Sequence, residues 1–123
     1  MSAIWESRKI VRSELRPDVE YDVARMSFGR RLELMKKIRD LAARIEFFEA
    51  GQAESNRMEA SLLAGEMDRV FLEWGLQGVS GLQVDGAPAS VAALIENGPE
   101  DLVHEALGII KAECGLNEAE RKN

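Results

Sequence analysis

The chain has one cysteine and one histidine among 123 residues, and each scarcity excludes a kind of chemistry. A lone Cys114 cannot form an intramolecular disulfide, which fits a reducing compartment. A lone His104 has Glu100 and Asp101 on its helical face but no further partners, whereas a metal site needs three or four converging ligands. A nucleophile likewise needs a base and an orienting group, and none is arranged here. No apolar run approaches the ~20 residues that a membrane helix requires. The opening residues, MSAIWESRK, lack an apolar signal core, so the expected compartment is the cytoplasm and no membrane partner is expected. The glycines between Gly75 and Gly86 match neither GxGxxG nor a P-loop ending. Asp85 and Asp101 lack the D-x-D-x-D-G rhythm of a calcium loop. No catalytic residue, metal or cofactor is expected.

What the sequence has is helix and charge. Its length suits one domain with one core. The net charge is −6, with 11 basic and 9 acidic residues over 1–50 but 5 and 13 over 51–123. An acidic surface repels phosphate backbones. Arg30, Arg31, Lys36, Lys37 and Arg39 cluster, but Glu33, Asp40 and Glu46 partner them and few aromatics stand nearby, so nucleic acid is not the expected partner. The unequal halves describe either two solvated faces or subunits that meet, and a homo-oligomer is expected.

Periodicity divides the chain. Val19, Tyr21 and Val23 alternate with Glu20, Asp22 and Ala24, and a weaker Val11, Ser13, Leu15 alternation precedes the turn signal Arg16-Pro17-Asp18. This predicts a β-hairpin over 8–26. Ser27 then caps a helix whose stripe is Leu34, Ile38, Leu41, Ile45 and Phe48, closed by Gly51. Glu33/Lys37 and Asp40/Arg44 are expected i,i+4 pairs on it. A second helix over about 54–74 carries Ala60, Leu63, Met67, Val70, Phe71 and Trp74, so 27–74 reads as a helical hairpin. Residues 75–89 read as a glycine-rich loop with a short edge strand at Leu82–Val84 and a tight Asp85-Gly86 turn. Ser90 caps a short helix, Asn97-Gly98 ends it in left-handed geometry, and Pro99 opens a last helix reaching Cys114-Gly115. Residues 116–123 form a short tail, with Asn117 and Glu120 at capping-box spacing. The predicted class is α+β: a hairpin, two long antiparallel helices and a C-terminal helical pair. Trp74, Phe71 and Trp5 are the candidate partner-binding residues, aromatics being interface anchors. For Trp74 the expected role is core packing, because tryptophan usually buries most of its area.

Three stretches together, "RMSFGRRLEL", "FLEWGLQGVSGLQVDGAPAS" with "LIENGPEDLVHEAL", and "ECGLNEAERKN", resemble small proteins from tail-gene clusters of long-tailed phages and prophages, the tail assembly chaperones. The resemblance covers most of the chain. It implies a non-enzymatic, mostly helical, self-associating protein of the host cytoplasm. Such a protein binds the tape-measure protein or other tail proteins before the tube polymerises. The N-terminal hairpin departs from a purely helical chaperone. The rival reading is a structural part of the virion, such as a tail or head–tail connector protein. In that family a slipped ribosome often extends the product, and Arg121, Lys122 and Asn123 can be encoded by a slippery heptamer.

Overall fold

The structure is a computed structural model that describes residues 2–115. The tail over 116–123, with its capping box and slip site, lies outside the described residues. The fold is α+β, as the periodicity predicts. Strands β1 (Arg8–Arg12) and β2 (Glu20–Ala24) form the antiparallel hairpin, with Val11 opposite Tyr21. Val19, Tyr21 and Val23 are almost fully buried, so the period-two side of β2 is the core side. The first strand stops at Arg12, earlier than Leu15. Ser13 Oγ accepts from the backbone N–H groups of Leu15 and Arg16 and turns the chain.

Helices α1 (Phe28–Glu49) and α2 (Glu54–Gly75) follow as the antiparallel pair. Ser27 caps α1 by accepting from the Arg30 N–H. Of the α1 stripe only Leu34 is buried; Ile38, Leu41, Ile45 and Phe48 are half-buried. The reason is geometric. Among the described residues the two helices have only each other beyond their base, and a two-helix layer cannot enclose a core. The expected i,i+4 pairs also do not form: Glu33 pairs with Arg30 and Asp40 with its neighbour Arg39.

The segment 75–89 is not a loop. Residues Leu76–Ser80 form β3, antiparallel to β2, giving the sheet order β1-β2-β3. Leu76 is buried and Val79 packs against the core, and their odd spacing is taken up by a register shift opposite Asp22 and Val23, so no plain alternation marks the strand in the sequence. Gly78 contributes no side chain to the opposite, open face of the sheet, and Gly81 closes the strand at φ +76. Two short strands, β4 (Gln83–Val84) and β5 (Ala87–Pro88), flank the tight turn, with both Asp85 (φ 54) and Gly86 (φ 82) left-handed.

Helices α3 (Val91–Asn97) and α4 (Glu100–Glu113) complete the chain. Ser90 caps α3 through the Ala93 N–H. The expected left-handed ending of α3 is wrong: Gly98 has φ −84. Glycine is required there for space, since a Cβ would lie 2.6 Å from the Leu94 carbonyl oxygen. Pro99 stands one position before α4 rather than inside its first turn. Leu102, Ala106 and Ile110 of α4 are fully buried against the sheet and α2. At Gly75 α2 lies close against α4; a Cβ there would lie 2.7 Å from Ile110 Cγ2.

Candidate functional site

Two glutamates eight residues apart on α4 organise the polar side of the core. Glu105 receives the turn after β1. Ser13 Oγ donates to its Oε1 at 2.5 Å and the Tyr21 hydroxyl at 2.7 Å, while the Glu14 and Leu15 N–H groups donate to Oε2 at 2.9 and 3.3 Å. Burial pushes the carboxyl pKa up, but the four hydrogen bonds outweigh it and hold the group below its ordinary value. Burial, followed by the bond to Glu105, pushes the Tyr21 phenol far above its ordinary value. At the other end of α4, Glu113 takes Lys9 Nζ at 3.3 Å and the Met26 N–H at 3.3 Å. These carboxylates fasten α4 to the two ends of the N-terminal hairpin. Glu105 has its lone pairs committed to structural donors, so it is a latch and not a base.

The residues singled out in the sequence do not converge on one site. Trp74 is 4% exposed and Phe71 3%, both inside the core. The Arg30 guanidinium stacks over the Trp74 ring at 4.6 Å and donates to the Trp74 carbonyl. Lys111 lies 5.6 Å over the Phe71 ring and bonds Asp68 at 3.0 Å. Trp5 is 61% exposed and stacks on Arg25, 4.1 Å away. His104 stands in solvent beside Glu100, at 3.3 Å. The Cys114 thiol is buried, and its pKa is pushed up by that burial; nearby Arg31 opposes the rise and Glu113 adds to it. A thiol so placed is held protonated and unreactive. Among the described residues no three His, Cys, Asp or Glu side chains come together as a metal site would require, and no helix is long and apolar enough to cross a membrane.

The surface that remains is the helical hairpin. Advancing 100° per residue, Arg31, Met35, Ala42 and Glu49 of α1 share one broad face with Arg57, Ala60 and Ala64 of α2. A groove lined by Ile45, Glu49, Arg57, Ala60, Ser61 and Ala64 runs along that face. The opposite face carries Glu33, Lys37, Asp40, Arg44, Glu59, Glu66 and Glu73. On the outer half of the hairpin three large apolar side chains stand out: Phe47 at 74% exposure, Met58 at 69% and Leu62 at 60%. Sequence reasoning missed them because each lies off the apolar stripe of its own helix. The signal that could have found them is an apolar residue on a charged helical face with no local role.

No protein-family model, curated protein or solved structure matches this chain.

Proposed function

We propose that this chain is a non-enzymatic assembly helper of long-tailed phages, acting in the bacterial cytoplasm by binding the tape-measure protein or another tail protein. The observation that carries the reading is the exposed trio Phe47, Met58 and Leu62 on the outer half of the hairpin. Singly exposed apolar residues are ordinary, but three near the tip of one projecting element are suited to receive the apolar stripe of a partner helix. The resemblance of the three quoted stretches to tail assembly chaperones supplies the kind of partner.

The test is co-expression with the tape-measure protein of the same gene cluster. The expected result is a soluble complex that a Phe47→Ser, Met58→Ser, Leu62→Ser triple variant fails to form while keeping its helix content. A complex unaffected by the triple variant removes the tip from the account. Mass spectrometry of mature particles separates the rival reading. A helper is absent from them, whereas a structural virion component is present in fixed copy number.

A further inference from the structure

We infer that the outer edge of β1 is a docking site for an extended acidic segment of a partner protein, which adds a strand beside Arg8–Arg12. This surface is separate from the apolar trio on the helical hairpin, and the inference does not rest on the role proposed for that trio. It begins from the sheet order β1-β2-β3, which leaves β1 terminal. Among the described residues β2 is the one element packed extensively along β1. Arg8, Lys9, Ile10 and Arg12 are exposed and Val11 is half-buried.

The backbone of that edge has a definite register. The Ser13 N–H donates to the Val19 carbonyl at 2.8 Å, and the Arg25 N–H to the Ser7 carbonyl at 2.8 Å. Both pairs continue the β1–β2 register, in which Val11 faces Tyr21 and Lys9 faces Val23. Hydrogen-bonded pairs alternate along an antiparallel ladder, so residues 7, 9, 11 and 13 bond to β2. The N–H and C=O groups of Arg8, Ile10 and Arg12 therefore point away from the sheet. They form a row of three donors and three acceptors, the template on which an extended peptide adds a strand.

The side chains select the occupant. Val11 packs against the core, so Arg8, Ile10 and Arg12 lie on the opposite, open face. An added strand sets one side chain beside each of them. Ile10, 60% exposed, favours an apolar neighbour. Arg8 and Arg12 favour acidic ones. Arg8 already binds Asp22 at 2.6 Å, while Arg12 has no ion pair among the described residues. The recognised pattern is thus acid–x–apolar–x–acid. A second copy does not fit. Two β1 strands paired antiparallel about Ile10 would set Arg8 against Arg12 twice, and like charges directly opposite are destabilising. The same cations that bar pairing between copies admit an acidic strand.

The test uses the full chain, labelled with nitrogen-15, and an end-capped peptide with the core Glu-Thr-Val-Thr-Glu. Binding is expected with a Kd on the order of 100 µM, because a short flexible segment must be ordered. On saturation the Arg8, Ile10 and Arg12 amides are expected to shift and to exchange more slowly. The Lys9 and Val11 amides, already bonded to β2, should change little. Absence of binding up to millimolar peptide, or binding without this alternation, overturns the inference. A peptide with lysine in place of both glutamates is expected not to bind, and equal binding overturns the selection by charge. Arg12→Glu is expected to weaken the glutamate peptide about fivefold and to improve binding of the lysine peptide. Ile10→Pro removes an outward donor without breaking a bond to β2 and is expected to abolish binding. Should circular dichroism show that Ile10→Pro disturbs the fold, the Arg12→Glu exchange with the two peptides decides: affinities that the charge reversal leaves unchanged overturn the inference.

Discussion

Glu105 shows how one side chain can hold two elements that its own helix never reaches in sequence. It collects donors from Ser13, Glu14, Leu15 and Tyr21, more than eighty residues earlier. Hydrogen bonds to a charged group contribute about 1.5–3 kcal/mol, and loss of the acceptor strands the Tyr21 hydroxyl. Glu105→Ala is therefore expected to lower the unfolding free energy by at least that amount in urea titrations at pH 7. The pH dependence has a definite sign. The folded carboxyl has a pKa below its unfolded value of about 4.3, so its contribution is complete above that value and is lost as pH falls through the folded one. Wild type and Glu105→Gln should converge in stability as the solution is acidified below about pH 4.3. His104→Ala, on an exposed position, should change stability by no more than about 0.5 kcal/mol. Leu102→Ala, fully buried, should cost roughly 2–5 kcal/mol, and Leu41→Ala less because its site is only half-buried.

At the scale of elements, the caps and turns were the most legible features, and their cost can be measured. Ser27 and Ser90 each accept a backbone N–H three residues on, so each serine-to-alanine change should cost about 1 kcal/mol. Gly86 and Gly81 both have positive φ, but their surroundings differ. Around Gly86 a Cβ meets nothing within 4 Å, so Gly86→Ala should cost only the left-handed penalty of about 1–2 kcal/mol. At Gly81 the added atom would overlap the Asp18 carbonyl oxygen, a backbone atom that cannot step aside. Gly81→Ala should therefore destabilise clearly more, read as a larger drop in the urea midpoint. Strand β3 was hidden for a related reason. Its glycines read as loop punctuation, whereas Gly78 faces the open side of the sheet and Gly81 fits against the chain entering β2.

For the whole molecule, stability is unevenly distributed. The sheet, α4 and the base of α2 share one buried cluster, while among the described residues the outer part of α1 packs on α2 alone. Hydrogen–deuterium exchange should show the slowest amides in β2 and α4 and faster exchange over residues 35–49. Equal protection of both regions at low concentration would contradict this division.

The sequence by itself determined the class, the order of the main elements and nearly every helix boundary. These follow from periodicity and from caps, which act over three or four residues and are visible to a linear reading. It also placed Phe71 and Trp74 in an apolar stripe, and the core is where they lie. Only the tertiary structure decided which side chains meet across long separations. The Ser13–Tyr21–Glu105 latch, the third strand beside β2 and the Arg30 stack on Trp74 each join residues dozens of positions apart. Likewise, a perfect helical stripe could not reveal that its outer half stays half-exposed. Burial depends on what the rest of the chain places against that stripe, and α4 reaches only its base.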